Sequence, residues 1–212
     1  MKKVFLNKNL LEGTLPIYYK DGQNGGGIMW VDEMKDYTFP KMNKVMEMCS
    51  GPGFMGFYLH NKYKTEKLIL VDIHKPLEES INKTNKENNL NAEFYLSDAF
   101  EQYDGDKVDF IVSNPPHITS EKDLQVFYDS DNNIDSDKKR ILFDKDFEFH
   151  KKFLGKLDNY LTSGGYLFLL ENSNSIPVSK ILELNSKLVL KEIIHHKSFP
   201  NVYSALFQLL NS

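Results

Sequence analysis

The sequence has almost no cysteine, no long apolar segment and no excess of positive charge. Its only cysteine, Cys49, has no partner for a disulfide within the chain, which favours a reducing compartment. No apolar run approaches the roughly 20 residues of a membrane-spanning helix, and the apolar part of the N-terminus ends too early for a signal peptide. We therefore expect a cytoplasmic protein with no membrane partner.

The charge balance argues against a protein whose main affinity is for the phosphate backbone of nucleic acid. The 30 Asp and Glu outnumber the 26 Lys and Arg, so the formal net charge is −4, whereas phosphate binding needs a concentrated basic surface. A nucleic-acid substrate held by a local basic patch stays open. With 41% hydrophobic residues among 212, the chain can bury a core and does not have the composition of a disordered tail.

Strand-like apolar runs alternate with segments of helical spacing from about residue 43 onward. This alternation predicts an α/β fold, namely a doubly wound, Rossmann-like sheet of seven mostly parallel strands with helices on both faces and an antiparallel last strand. Ser163, Gly164 and Gly165 are expected to end a helix before the next strand begins. The predicted strands cover residues 44–49, 67–73, 92–96, 108–113, 166–170, 188–194 and 203–210, and the predicted helices cover 76–88, 147–161 and 176–184.

Two segments stand apart from this alternation. Residues 1–40 are predicted to be an N-terminal extension or substrate lid before the main domain of residues 41–212. Within the extension, Trp30 is expected to pack in a core, and Gly25 to Gly27 to form a linker. Residues 129–139 are polar with almost no apolar anchor, which predicts a surface loop.

A glycine-rich loop follows the first predicted strand of the main domain and precedes a helix. Gly51, Gly53 and Gly56 have the spacing Gly-x-Gly-x-x-Gly, which provides a tight turn, a close approach of the backbone to a ligand and helix amides that point at it. Asp72 ends the next strand, where a carboxylate can accept hydrogen bonds from two ribose hydroxyls. Gly51, Gly53 and Asp72 are therefore predicted to hold a ligand that contains a nucleoside.

Glu47 distinguishes two ligands that share this geometry, a dinucleotide such as NAD and S-adenosylmethionine. A carboxylate four residues before Gly51 would repel the pyrophosphate of NAD. It suits the ammonium and sulfonium groups of S-adenosylmethionine, either directly or through water. We therefore expect S-adenosylmethionine as the cofactor, with an NAD-dependent oxidoreductase as the alternative.

The sequence Asn114-Pro115-Pro116-His117 follows the strand predicted at 108–113. Two prolines remove two backbone donors and hold the chain extended, so that carbonyl oxygens can point outward. The Asn114 side chain and the Pro115 carbonyl can accept both protons of an amino or amide NH₂ group and orient its nitrogen for in-line methyl transfer. His117 can stack on a planar group or take the proton. The alternative is a plain turn at the end of a strand.

On these motifs the sequence resembles the class I S-adenosylmethionine-dependent methyltransferases, over roughly residues 43–172. It is most similar to the release-factor glutamine N5-methyltransferases and the small ribosomal RNA guanine N2-methyltransferases, whose Asn-Pro-Pro-aromatic motif it shares up to the aromatic residue. The resemblance implies that Asp72 binds the ribose, that Asp98 binds the adenine amino group, and that Asn114 lies at the cofactor as well as at the acceptor. Phe100 either packs on the adenine or fills the core.

Several polar residues lie outside these motifs or depart from them. His117 stands where the resembling family usually has Tyr or Phe. Residues 143–150 resemble a segment that leads into a helix in the glutamine enzymes, and the following strand ends in an acid there, as it does at Glu171 here. For Glu171 a functional role and a helix-capping role stay open. His150, His195 and His196 have no metal-ligand spacing with Cys or carboxylates, so no metal site is predicted.

Together the residues predict an N-methyltransferase that acts by in-line displacement, with Asn114, Pro115 and His117 as its catalytic residues. Because the chain is acidic and has no recognisable polymer-binding domain, we expect a small-molecule or protein acceptor ahead of a nucleic acid. A second alternative, besides the oxidoreductase, is a non-catalytic binding module that uses the same fold.

Overall fold

A computed structural model describes residues 1–6, 15–20, 27–130, 141–197 and 200–210. The chain divides into two compact units, Met1–Asn114 and Pro115–Ser212. Gly25, Gly26 and most of the loop predicted at 129–139 lie outside the described residues. The domain boundary predicted at residue 40 stays a prediction.

The described residues of the first unit form a two-stranded hairpin and four parallel strands. Its strands are β1 (Lys2–Leu6), β2 (Leu15–Tyr19), β3 (Lys44–Met48), β4 (Lys67–Asp72), β5 (Glu93–Leu96) and β6 (Val108–Ser113). The parallel strands lie in the order β5-β4-β3-β6. Consecutive residues of β3, β4 and β6 are buried, which explains why apolar residues stand next to one another in these strands instead of alternating with polar ones.

Among the described residues of this unit, three helices accompany these strands, namely α1 (Gly27–Met34), α2 (Phe54–Tyr63) and α3 (Leu77–Asn88). The helices α2 and α3 follow β3 and β4 directly, because a parallel pair of strands needs a crossover connection. Glu78 and Glu79 lie in the first turn of α3, where negative charge stabilises a helix. Asn89 ends α3 in the left-handed conformation, with a φ of 52°.

The N-terminal hairpin of β1 and β2 packs on α3. The Tyr18 amide donates a hydrogen bond to the Thr84 hydroxyl at 3.0 Å, and the Asn88 side chain donates one to the Pro16 carbonyl at 2.9 Å. Ile17 is fully buried. These contacts make β2 part of the core of the first unit.

Trp30 is a core residue, as predicted. Its side chain is buried on α1, and its ring centroid lies 5.9 Å from that of Phe39 and 6.3 Å from that of Tyr58. Aromatic rings at this separation attract one another beyond the effect of burial alone. The ring of Trp30 therefore fixes α1 against α2.

The second unit contains three antiparallel strands and three helices among its described residues. Its elements are α4 (Glu121–Ser130), α5 (Glu148–Tyr160), β7 (Leu161–Asn172), α6 (Val178–Leu184), β8 (Leu188–His195) and β9 (Val202–Leu209), with a 3-10 turn at Lys145–Phe147 before α5. β9 pairs with both β7 and β8 and is antiparallel to each.

The prediction that Ser163, Gly164 and Gly165 separate a helix from the next strand was wrong. The helix α5 ends at Tyr160, and β7 begins at once with Leu161. Gly164 takes a φ of 77° inside the strand, which a residue without Cβ adopts at little cost. Its carbonyl accepts a hydrogen bond from the Gln208 side chain at 3.0 Å. The glycines therefore lie inside the strand instead of preceding it.

The predicted fold class is confirmed. Seven strands form a mostly parallel sheet whose last strands are antiparallel, with helices around it. Within the described ranges, no helix is long and apolar enough to cross a bilayer.

Candidate functional site

The carboxyl ends of the four parallel strands in the first unit carry the predicted cofactor residues. Since parallel strands end at the same edge of a sheet, their following loops lie side by side, which is where open α/β sheets bind ligands. Hydrogen bonds tie the loops together. They run from the Ser50 amide to the Val71 carbonyl (3.0 Å), from the Ser97 amide to the Asp72 carbonyl (2.9 Å) and from the Ser113 hydroxyl to the Met48 carbonyl (2.8 Å).

Gly51 and Asp72 lie next to each other at this edge of the sheet. The Gly51 amide donates to Oδ2 of Asp72 at 2.9 Å, and the His74 amide donates to Oδ1 at 2.9 Å. Burial raises the pKa of Asp72, and these amides hold back part of that rise. An ionised carboxylate has about four lone-pair directions, so two amide bonds leave acceptor capacity for hydroxyl groups.

Gly53 and Gly56 fit α2 closely against the sheet. Gly53 has a φ of 87°, and a Cβ there would lie 2.8 Å from Phe57 and 2.9 Å from Leu70. A Cβ at Gly56 would lie 2.8 Å from Oε2 of Glu47. The second and third glycines of the motif are therefore required by packing, and Gly53 also by its backbone conformation.

Replacing Gly53 with Ala is expected to destabilise the protein by about 1–3 kcal/mol, because the left-handed backbone and the new contacts both cost free energy. Urea unfolding measures this change. Gly155 in α5 is the matched control, since nothing lies within 4 Å of its Cβ position and Ala is the better helix former. Gly53→Ala and Gly155→Ala variants of equal stability would contradict the prediction.

Glu47 lies beneath the start of α2 instead of facing solvent. Its side chain is buried in β3, and Oε2 accepts a hydrogen bond from the Gly56 amide at 2.7 Å. Burial raises the pKa of Glu47 to about 8, although bonds from the amides of Gly56 and Met55 oppose the rise. The amides of the first helical turn, which bind phosphate in a dinucleotide site, are therefore occupied here by a carboxyl group.

Asp98 and Phe100 follow β5. Asp98 is half-buried, and its amide donates to the Gln102 side chain at 2.9 Å. Phe100 is 2% exposed, and its ring centroid lies 6.4 Å from that of Tyr103. The burial favours core packing for Phe100 over a position on an adenine ring, while the role of Asp98 stays a prediction.

Asn114 is the first residue after β6, one position beyond the pair that Ser113 forms with Met48 of β3. It is half-buried, and Pro115 after it is buried. Asn114 therefore extends the same strand edge that carries Gly51 and Asp72. Whether its side chain and the Pro115 carbonyl bind an acceptor nitrogen stays a prediction.

The second unit contains a linked group of four polar side chains, Asp144, His150, Glu171 and His117. Nδ1 of His150 lies 2.5 Å from Oδ2 of Asp144, and Nε2 lies 2.9 Å from Oε1 of Glu171. The second carboxylate oxygen of Glu171 lies 3.3 Å from Nδ1 of His117. Asp144, His150 and Glu171 are buried, whereas the His117 side chain is 23% exposed.

Local structure explains why Asp144 meets His150. The Asp144 carboxylate accepts the amides of Phe149 at 2.6 Å and His150 at 3.3 Å, which are unpaired donors in the first turn of α5. It therefore caps the helix and holds the imidazole at once. The sequence signal is an acid six positions before a histidine at a helix start, but sequence reasoning assigned no role to either residue.

The charges in this group stabilise one another. Burial alone would lower the pKa of His150, but the Glu171 and Asp144 carboxylates outweigh it and raise the pKa to about 9. Burial likewise opposes ionisation of Glu171, but His150 and His117 lower its pKa. Among the described residues, no three His, Cys, Asp or Glu side chains have the geometry to hold a metal ion.

Residues 18–129 match the family model of the methyltransferase small domain, which is more than half of the chain. A ribosomal RNA small subunit methyltransferase C of Pasteurella multocida is 39% identical over 77 residues, covering 36% of this chain and 23% of that protein. A putative protein N5-glutamine methyltransferase of Methanocaldococcus jannaschii is 30% identical over 140 residues, covering 66% of this chain and 67% of that protein. The chain therefore spans about a quarter of the first relative and two thirds of the second.

A solved structure with a similar fold is a Thermus thermophilus 16S rRNA methyltransferase in complex with AdoMet and guanosine. Its TM-score is 0.64 at 16% identity, and the match covers 99% of this chain and 50% of that one. At this identity the likeness concerns the fold alone.

Proposed function

Since the chain belongs to the methyltransferase small domain family, we propose that it is an S-adenosylmethionine-dependent N-methyltransferase acting on a planar amino or amide nitrogen. The observation that carries the choice of cofactor is the buried carboxyl group of Glu47 at the start of α2. It occupies amides that the pyrophosphate of NAD would need. The oxidoreductase alternative therefore loses its support.

The residues of the first unit fit S-adenosylmethionine. Asp72 keeps lone pairs for two ribose hydroxyls after its bonds to the Gly51 and His74 amides. Glu47 supports the cationic methionine end, and Asp98 accepts the adenine amino group. When bound, the cofactor supplies an electrophilic methyl group on a sulfonium.

Asn114 and Pro115 are assigned to the acceptor. Their two oxygens accept both protons of an NH₂ group, so that the nitrogen lone pair faces the methyl carbon. Positioning of this kind supplies much of the acceleration in a displacement that needs no covalent enzyme intermediate.

The relatives favour a macromolecular acceptor. By their names, they act on ribosomal RNA and on protein glutamine. Guanine carries an amino group and glutamine an amide on a planar carbon, so one pair of acceptors suits both. We therefore propose a protein glutamine or an RNA guanine, ahead of the small metabolite that charge alone favoured.

Calorimetric titration tests the cofactor. We expect S-adenosylmethionine and S-adenosylhomocysteine to bind the wild type and NAD not to bind. Asp72→Ala should weaken binding of both sulfur compounds by about 1–3 kcal/mol, the cost of leaving polar partners unpaired. The exposed Asp104 offers a control, since Asp104→Ala should leave binding unchanged. Binding of NAD alone by folded protein would overturn the proposal.

Transfer of labelled methyl tests the reaction. The probes are purified small ribosomal subunits and a peptide with a central glutamine, each incubated with methyl-labelled S-adenosylmethionine. Label in RNA or in the peptide supports the proposal and identifies the acceptor class. Tight cofactor binding with no label in either, under conditions that retain folded protein, would favour the non-catalytic module instead.

A further inference from the structure

The linked group of Asp144, His150, Glu171 and His117 extends from buried residues to a partly exposed one. Three members are buried, and the fourth, His117, is partly exposed and follows directly after the Asn114-Pro115-Pro116 segment. The proposed function assigns no role to His117 or to the buried three. Three buried ionisable side chains cost free energy, so their arrangement calls for an explanation.

Hydrogen-bond donors and acceptors fix the protonation of His150. Both of its ring nitrogens face carboxylate oxygens, at 2.5 Å from Asp144 and 2.9 Å from Glu171. An ionised carboxylate only accepts, so both nitrogens donate and the ring is an imidazolium. The rings of His150 and His117 lower the pKa of Glu171 against the effect of burial, so its carboxylate is ionised beside them.

The same reasoning fixes the tautomer of His117. Oε2 of the ionised Glu171 accepts a hydrogen bond from Nδ1 of His117 at 3.3 Å. In a neutral imidazole the proton is then on Nδ1, and Nε2 carries the lone pair. A buried carboxylate behind an imidazole also stabilises the charged form that arises when Nε2 takes a proton.

We propose that Nε2 of His117 accepts the proton that the acceptor nitrogen loses during methyl transfer, and that Glu171 is the positioning residue for it. This inference rests on the proposed N-methyltransferase function. The acceptor nitrogen forms a bond to the methyl carbon, and the carbon–sulfur bond breaks with its electron pair going to sulfur. As the nitrogen–carbon bond forms, one N–H proton passes from the nitrogen to Nε2 of His117, which then releases it to water through its exposed part.

His117 has a ring nitrogen that can accept a proton, which the usual residue at this position lacks. In the methyltransferases that the sequence resembles, Tyr or Phe follows the two prolines and can stack on the acceptor. Neither ring has a nitrogen that accepts a proton near neutral pH. General base catalysis contributes about 10²–10⁴-fold to a rate, so the substitution has a measurable consequence.

Nitrogen-15 NMR of the ligand-free protein tests the geometry without any methyl transfer. We expect His117 with its proton on Nδ1 and His150 protonated on both nitrogens. Glu171→Gln should shift His117 toward the Nε2-protonated tautomer, which a purely structural role for Glu171 does not require. A wild-type spectrum with His117 protonated on Nε2 would overturn the inference, even if the Glu171 variant does not fold.

Single-turnover transfer to whichever probe accepts label tests the role itself. His117→Phe keeps a planar ring, so its rate should fall about 10²-fold while its affinity for S-adenosylhomocysteine is retained. Added imidazole should restore His117→Ala by about tenfold or more. The exposed His195 gives the control, since His195→Phe should transfer methyl at the wild-type rate. An unchanged rate in His117→Phe would refute the inference and leave the proposed function intact. If the wild type did not bind the cofactor at all, the proposed function would be refuted, while the tautomers measured by NMR would remain valid.

Discussion

Replacing Asn114 with Ala should reduce methyl transfer by about 10²–10³-fold, the usual effect of removing one oriented hydrogen-bonding group at a reacting centre. The side chain stands one position past the Ser113–Met48 pair, at the strand edge shared with Gly51 and Asp72. If its oxygen holds one proton of the acceptor NH₂ group, Ala leaves the nitrogen free to rotate. The lone pair then loses its alignment with the methyl carbon.

Rate and binding must be measured separately to test this. Single-turnover transfer from methyl-labelled S-adenosylmethionine gives the rate, and calorimetry with S-adenosylhomocysteine gives the affinity, which we expect to change less than about tenfold. The exposed Asn82 on α3 provides the control, because Asn82→Ala should alter neither quantity. A loss of rate fully accounted for by lost cofactor affinity would assign Asn114 to the cofactor alone.

Parts of the fold that depend on local sequence could be predicted closely. β6 was predicted at its observed bounds, 108–113, and α3 within one residue of its start. Both have a regular pattern of apolar residues and clear boundary signals at their ends. β7 was misjudged because a glycine pair signals a helix end in the sequence, whereas Gly164 takes its φ of 77° inside the strand.

Contacts between distant residues could not be predicted from the sequence. The hairpin strand β2 was missed because its burial depends on α3, with Tyr18 bonded to Thr84. The link from His150 to Glu171 spans 21 residues, and neither spacing nor residue type marks it. The glycine loop and Asp72 were predictable because strand ends and the fold's topology bring them to one edge.

Glu47 is expected to lower the stability of the fold and to strengthen ligand binding. The folded protein holds its proton up to a pKa of about 8, whereas an unfolded glutamate releases it near 4.5. Between these values the unfolded state becomes increasingly favoured as the pH rises. Glu47→Gln keeps the shape and the acceptor for the Gly56 amide without this penalty. We expect it to be more stable than the wild type by about 1 kcal/mol at about pH 5.5 and about 4 kcal/mol at about pH 8.

Urea unfolding at several pH values measures this difference, with Glu66→Gln on the surface as the control that should show no such trend.

The same variant, Glu47→Gln, should also be impaired in ligand binding. A bound cation favours the ionised carboxylate, so S-adenosylmethionine binding to the wild type near neutral pH should release a proton. Calorimetry in two buffers of different ionisation enthalpy detects that release. Glu47→Gln should bind S-adenosylmethionine more weakly and release no proton, because an amide cannot ionise. If the wild type also releases no proton, Glu47 only caps α2. A carboxyl group kept where an amide would stabilise the fold is what a ligand-binding role requires.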